Sequence, residues 1–515
     1  MSEKETEMQG VTRRDFLKGT VAGGAAGLVV GIGGSALVKP SKKETGLPEK
    51  WDYETDVLSI GAGGTGITAA LWAKYGGAEA IVLEKGATAM ASCSALSDGQ
   101  WGAAGTSVQK ARGIDDSPDK FYNYVVEYQE KCTVAESDLD LTRVIVDNST
   151  PVLEWLLELG AEVHGELQAF LGMTEKRWHT LKMQDVFKIL LDECKKQEVE
   201  ILYRTPATKL LTDHSGRVVG VEAESEGKTI YVKARKGVVL GCGGYAANPE
   251  MLRNYHGMSY YNVKPVGCKT NTGDGFKMAM AVGADLREVY IPPSLALAAA
   301  GTLVGIVQLP RAGGILVNNL AKRYTAENIG ASPEAAATAR QPDGEAFIIH
   351  DAPQMQHEHA KITLDRHEKL DGKIYEANTI ADLASQLGLD PDALVETVET
   401  YNSYVDAGDD PEFGRNTMDE TKGSPPAVKI EMPPFYALKV CAAIYPTQMK
   451  LQSDTKARVL NTYGEVISGL YAGGLMGNVG IRNYYSGQTM TALTGAFVLG
   501  YIAGQDAAKT ESWDA

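Results

Sequence analysis

The stretch Tyr53–Gly86, YETDVLSIGAGGTGITAALWAKYGGAEAIVLEKG, constrains the fold more than any other part of the chain. Asp56–Ile60 is a short apolar run of strand character, and Gly61–Gly66 is a tight glycine turn. Thr68–Tyr75 has helical spacing, and Ala80–Leu83 is a second apolar run that ends at Glu84. Strand, helix and strand in this order make a βαβ unit, the start of a parallel sheet in an α/β fold. The turn Gly61-Ala62-Gly63-Gly64-Thr65-Gly66 satisfies G-x-G-x-x-G. The first glycine makes the turn, the second lets the backbone approach a pyrophosphate, and the third lets helix and strand pack closely; the anion rests on the helix N-terminus. Glu84 stands at the spacing where an acid accepts a ribose 2′-hydroxyl. An acid there, rather than a base, points to an unphosphorylated adenosine ribose, hence FAD or NAD.

The remainder of the 515 residues is too long for one small core and predicts two or three globular units. Helical spacing is found at about 137–159 and 184–197, and strand patterns at about 200–212, 216–225 and 229–241. Residues 286–430 differ in composition, with an alanine-rich piece, a glycine turn and an acidic helical region, and read as an inserted second domain. Strands return from PPFYALKV onward, and a helix over Thr489–Thr510 closes the chain. The expected division is therefore 1–38 leader, 39–52 linker, 53–285 first part of the dinucleotide domain, 286–430 insertion and 431–515 second part.

A formal net charge of -16 argues against nucleic acid as a partner, because phosphates are repelled. The six cysteines contain no C-x-x-C pair, which excludes the spacing of haem attachment and of zinc or iron–sulfur sites. They are also too few for a disulfide framework and read as small core residues. The leader holds adjacent Arg13 and Arg14 before Phe16, Leu17 and Lys18, then the glycine-rich, weakly apolar stretch Gly19–Val38. That is the pattern of a twin-arginine signal, which exports a protein already folded. No clear A-x-A site precedes Lys39, so the segment is either cleaved or kept as an anchor. The expected location is the periplasm or the outer face of the cytoplasmic membrane.

Four further stretches, Val238–Tyr255, Asn271–Leu286, Ile467–Gly480 and Thr491–Ala508, complete a recognisable set. Together they resemble the flavoprotein subunit superfamily of fumarate reductase and succinate dehydrogenase. That superfamily includes flavocytochrome fumarate reductases, urocanate reductases and ketosteroid dehydrogenases. The resemblance runs from Tyr53 nearly to the end. It implies FAD as cofactor, a Rossmann-like FAD-binding domain with a parallel sheet built from both ends of the chain, and an inserted α+β capping domain. By position, it implies that Gly61, Gly63, Gly64 and Gly66 hold the pyrophosphate and Glu84 the ribose, with Lys85 and Ala207 in the same cofactor set. Ser94, Ala104, Gly105 and Thr106 would lie along the flavin, Thr272 and Asp274 near the isoalloxazine, and Gly473 and Gly474 under the ribityl chain. The last helix would aim its N-terminus, near Thr489 and Met490, at the flavin N1–O2 edge, where its dipole favours an anionic reduced flavin. A large buried cofactor loaded before export explains the need for a folded-protein route.

The resemblance also implies a proton-donating arginine in a run of arginine, glycine pair, apolar stretch and asparagine. LPRAGGILVNNLAKRYTAEN places Arg311 there, one residue shorter than the family pattern between Arg311 and Asn318. Tyr324 and Glu327 are weaker candidates, and Arg323 reads as a solvent-facing turn residue. Fumarate reductases hold a substrate carboxylate with a histidine and an arginine. Here Tyr445 replaces the histidine, and the arginine position falls on Tyr484 or Tyr485, with Arg482 slightly upstream. Loss of both clamps argues against dicarboxylates, because tyrosines do not replace a bidentate arginine on a buried carboxylate. Tyr445 and Tyr485 are expected to line a pocket for a neutral or aromatic substrate, and Tyr485-Ser486-Gly487 resembles the turn that polarises the ketone in ketosteroid dehydrogenases.

These features predict an exported FAD-dependent reductase of an activated C=C bond in a neutral or aromatic small molecule, working as an anaerobic respiratory terminal reductase. A ketosteroid-type dehydrogenase running the reverse oxidation is the nearest rival, and a flavin-binding electron carrier without a substrate is the third reading. With no haem motif in the chain, the electron donor is expected to be a separate cytochrome or quinone-linked membrane protein.

Overall fold

A computed structural model describes residues 47–132, 138–169, 175–258, 260, 263–287, 289, 295–303, 305–306, 309–356, 361, 364–365, 367–415, 427–444, 447–477 and 492–514. Along the chain the elements used below are β1 (Tyr53–Ile60), α1 (Gly64–Tyr75), β2 (Ala80–Glu84), α2 (Leu139–Glu158), α3 (Met183–Lys196), β3 (Glu200–Tyr203), β4 (Ala207–Thr212), β5 (Val218–Ser225) and β6 (Lys228–Leu240). They continue with β7 (Lys264–Pro265), α4 (Asp274–Ala281), β8 (Leu295–Ala299), β9 (Ile315–Val317), β10 (Glu345–His350), β11 (Tyr375–Ala377), α5 (Ile380–Leu387), α6 (Pro391–Ala407), β12 (Phe435–Ile444), β13 (Arg458–Leu460), β14 (Val466–Ala472) and α7 (Ala492–Lys509).

The first sheet runs β13-β14-β6-β1-β2-β3, with β4 and β5 continuing from β6. Its centre is parallel: β1 pairs with β2 and β6, β2 with β3, and β14 with β6. Ile60 is level with both Leu83 and Leu240, so three strands end together at one edge. β1 is buried on both faces over its second half, as a strand covered by helices requires. The resulting fold is the expected α/β architecture with a parallel sheet.

Two details differ from the sequence expectation. The helix begins at Gly64, not Thr68, because the glycine turn itself supplies its first residues. The strand expected over 200–212 divides at Arg204–Pro206, where Arg204 takes a φ of 53° and β4 turns to pair with β5.

α1 and α7 pack against each other over the sheet. Their approach is set by glycines one helical turn apart: a Cβ on Gly500 would lie 2.4 Å from the Thr65 carbonyl oxygen, and one on Gly504 2.3 Å from that of Ala69. Backbones this close leave no room for side chains. Phe497 fills the remaining space beside Trp101 and Phe187.

The second sheet runs β7-β12-β10-β9, with β8 and β11 also on β12; apart from the parallel β7 pairing, its ladders are antiparallel. α5 and α6 bury their apolar faces on β9 and β10 through Leu383, Leu394, Val398 and Tyr401. α6 has the full set of end signals, with Asp390 accepting from the Asp392 and Ala393 amides, Pro391 in the first turn and Gly408 at the C-cap. One buried cluster contains Leu58, Leu240 and Phe276 together with Leu297, Ile348 and Leu438, so the two sheets share a core.

Candidate active site

A cavity of about 740 Å³ opens at the carboxyl ends of β1, β2, β6 and β14, the position where open parallel sheets bind ligands. Gly61 follows β1, Glu84 ends β2, Gly241–Gly243 follow β6, and Gly473 and Gly474 follow β14. All of these line it.

The glycine turn is built as its spacing requires. Gly61 has a φ of +99°, and a Cβ there would sit 2.5 Å from the Gly241 carbonyl oxygen. A Cβ on Gly66 would come within 1.9 Å of the Gly61 carbonyl oxygen, so Gly66 closes the turn from behind. At Gly63 the nearest atoms to such a carbon are 3.9 Å away, which leaves that face open to the cavity. Gly63 is also the N-cap of α1 and gives it no side-chain cap; the Gly64 amide donates to Ser94 Oγ at 3.1 Å.

Glu84 is fixed by two backbone amides, with Oε2 accepting from Ala62 N at 2.8 Å and Oε1 from Gly86 N. Lys85 crosses the cavity wall to donate to Thr272 Oγ1 at 2.6 Å and Asp274 Oδ2 at 2.7 Å. This joins the βαβ unit to the turn that starts α4. Ala492, Leu493 and Ala496, the first turns of α7, complete the lining.

Of the expected cofactor residues, Gly61, Gly63, Gly64, Glu84, Lys85, Ser94, Ala207, Asp274, Gly473 and Gly474 line this one cavity. Gly66 supports it from outside. Ala104, Gly105 and Thr106 do not line it. Thr106 is fully buried, caps the helix Ser107–Ala111 by a reciprocal pair with Gln109, and meets His179 Nε2 at 2.9 Å. Thr489, Met490, Tyr445, Arg482, Tyr484 and Tyr485 lie outside the described residues. Arg311 sits in the single 3₁₀ turn Pro310–Ala312, and its side chain is likewise outside what is described.

Arg323 is not solvent-facing. It is 7% exposed and donates to both oxygens of Glu327 and to Asp410 Oδ2 at 3.0 Å. Arg415 donates to the same Glu327 at 2.9 Å and to the Gly314 carbonyl at 3.0 Å. Burial by itself would push the Arg323 guanidinium down, but the Glu327 and Asp410 carboxylates outweigh it and hold the group above its ordinary value. The Leu316 amide also donates to Glu327. Glu327 thus anchors the strand that follows Arg311, and the Tyr324 hydroxyl is engaged with Thr338 Oγ1 at 2.7 Å.

Several lining residues were not singled out from the sequence, although Cys242 and Asn271 lie in stretches that carry the resemblance. Cys242, Cys268, Thr205 and Asn271 are short side chains in loops and Cys93 opens a single four-residue helical turn, all too short for helical or strand periodicity to operate.

An open glycine face at an uncapped helix start, an acid at the end of the second strand and a long cavity between them fit a dinucleotide. The FAD binding domain family model matches residues 56–491. The chain belongs to this FAD-binding family. Its cofactor is FAD. Residues 10–30 match the signal sequence of the twin-arginine translocation pathway, which marks the flavoprotein for export. Among the described residues no helix is long and apolar enough to cross a membrane.

The flavoprotein is 28% identical over 491 residues to a probable fumarate reductase of Shewanella frigidimarina, covering 91% of this chain and 79% of the relative. It is also 28% identical over 462 residues to the vinyl phenol reductase of Lactiplantibacillus plantarum, covering 81% and 89%. A solved structure, the open conformation of a flavocytochrome c3 fumarate reductase, superimposes with a TM-score of 0.78 at 26% identity, over 99% of this chain and 83% of the other.

Proposed function

We propose that this FAD-dependent oxidoreductase of the fumarate-reductase type, acting on CH–CH groups, reduces an activated C=C bond in a neutral or aromatic small molecule outside the cytoplasm. The observation that carries the substrate class is the replacement of both carboxylate-holding residues by tyrosine, at Tyr445 and at Tyr484 or Tyr485. Similarity to a vinyl phenol reductase, over nearly the whole of that relative, supports a phenolic or other uncharged alkene.

In this reading the Gly61–Gly64 backbone and the start of α1 take the pyrophosphate, and Gly66 keeps the turn closed. Glu84 retains free lone pairs beyond its two amide bonds and accepts a ribose hydroxyl. Lys85 holds Asp274 and Thr272 in place, and Gly473 and Gly474, where a side chain would strike Thr65, would pass under the ribityl chain. Bound FAD supplies a hydride at N5. Arg311 delivers the matching proton; a guanidinium stays cationic, so it polarises the substrate before the proton moves. Tyr445 and Tyr485 shape the pocket.

Residues 53–285 and 431–515 form the FAD domain and 286–430 the cap. The electron donor is a separate cytochrome or quinone-linked protein at the outer face of the cytoplasmic membrane, and the pathway is anaerobic respiration. The test is anaerobic: reduce the flavoprotein chemically and follow its reoxidation by a panel of alkenes.

A further inference from the structure

Three of the six cysteines line the cofactor cavity, and two of them are neighbours. Cys93 follows the Ser92 N-cap of a short helical turn, while Cys268 lies just after β7. The loop carrying Cys268 is closed by the Asn271 amide donating to the Cys268 carbonyl at 3.3 Å. From that loop the Asn271 side-chain amide reaches back to Cys93 Sγ at 3.1 Å. Cys268 Sγ has Thr270 Oγ1 at 2.7 Å. Both cysteines carry free thiols.

Both sulfurs thus meet the same 268–271 loop at the cavity wall. Cys93 is held above its ordinary value, chiefly by the neighbouring Cys268 thiol, with burial adding to the effect. Cys268 is held below its ordinary value by the neighbouring Cys93, against the effect of burial and with help from Thr270. Of the two, Cys268 is the more readily ionised thiol, and a more acidic thiol beside a protonated one is the arrangement from which thiol–disulfide chemistry proceeds. The two remaining described cysteines, Cys194 and Cys441, are buried outside the cavity lining, and Cys242 has only the Ile60 carbonyl at 3.5 Å.

We propose that Cys93 and Cys268 are a redox-active pair that interconverts between dithiol and disulfide and exchanges one electron pair with the bound flavin. In the oxidising direction a Cys93–Cys268 S–S bond forms, the Cys93 S–H bond breaks, and one proton and two electrons are released. Both electrons and the proton go to bound oxidised FAD, so the step balances without a further reactant. In the opposite direction the disulfide takes the pair back. Export favours the oxidised form, since reducing thiol pools are cytoplasmic. The pair then gives the protein a second two-electron store beside its cofactor. It depends on FAD in this cavity and not on which alkene is reduced.

The test uses the full holoprotein recovered from the export compartment and titrated anaerobically with dithionite. The wild type should take up about four electrons per chain, two for the flavin and two for the pair. Cys93→Ser and Cys268→Ser should each take up about two. Peptide mapping after alkylation should show a reductant-sensitive link between the Cys93 and Cys268 peptides in the wild type. Uptake of about two electrons by the wild type, with both cysteines alkylated separately under oxidising conditions, would overturn the proposal. The peptide link is read without flavin, so loss of the cofactor and absence of the pair give different results. If the variants do not fold, the wild-type electron count and peptide map still decide.

Discussion

The Thr65 hydroxyl donates a 2.9 Å hydrogen bond to the Ala496 carbonyl, joining residues 431 positions apart. It ties the start of α1, where the cavity begins, to the start of α7, where the cavity ends. Gly500 allows this approach, because any side chain there would strike the Thr65 carbonyl. Gly500→Ala should therefore lower stability by about 1–3 kcal/mol, as overpacking of a fitted interior does, and should speed flavin loss. Thermal unfolding and flavin retention on gel filtration check both. A variant as stable and as flavinated as the wild type would show that the helices slide without cost.

Glu327 accepts from Arg323, Arg415 and the Leu316 amide while almost wholly buried. Removing one member of a buried ion group leaves the others unpaired and costs about 3–5 kcal/mol. Glu327→Ala should show that loss in denaturant unfolding. By contrast, the exposed Lys322–Glu396 pair should contribute at most about 1 kcal/mol, so Lys322→Ala is the matched control.

Stability should fall in mild acid for a defined reason. Burial pushes His179, His256 and His350 down to about 4. The unfolded chain binds protons on these groups near pH 6.5, whereas the folded chain does not until about pH 4. Their contribution is complete above the unfolded value and is lost as pH falls from about 6.5 towards 4. Each adds a slope of up to about 1.4 kcal/mol per pH unit in that window. Denaturant melts at pH 7.5, 6 and 5 should follow it, and His179→Gln should flatten the curve.

Arg311 is assigned from its place in the run before β9. Arg311→Lys keeps the charge but shortens and reshapes the donor. It should leave flavin binding intact and lower turnover by about 10²–10⁴-fold, the usual contribution of a positioned proton donor. Steady-state rates with a reduced viologen measure this, and an unchanged turnover would remove Arg311 from the mechanism.

The βαβ unit and its glycine turn were legible because every signal lies within one short stretch, where period and spacing act locally. The cofactor residues it names, Gly61 to Glu84, meet in one place for that reason. Arg323 was not legible: beside Lys322 in a polar turn it has the look of a solvated charge. Its partner Asp410 lies 87 positions away, and no spacing rule reaches that far. Thr106 was placed on the flavin by resemblance, yet Gln109 and His179 use its hydroxyl for a buried cap. The thiol pair was hidden for a similar cause, since the helical turn that carries Cys93 and the loop that carries Cys268 are brought together only by the tertiary fold.

The flavin is expected to pass its hydride to a neutral or aromatic alkene and not to a dicarboxylate. The most direct measurement is stopped-flow reoxidation of the chemically reduced holoprotein under anaerobic conditions, with fumarate, urocanate, a cinnamate, a vinylphenol, a stilbene and an enone steroid compared in turn. Rapid reoxidation by one of the neutral or aromatic alkenes and none by fumarate is expected. Rapid reoxidation by fumarate would contradict it, as would flavin reduction by a saturated ketosteroid with no alkene able to reverse it.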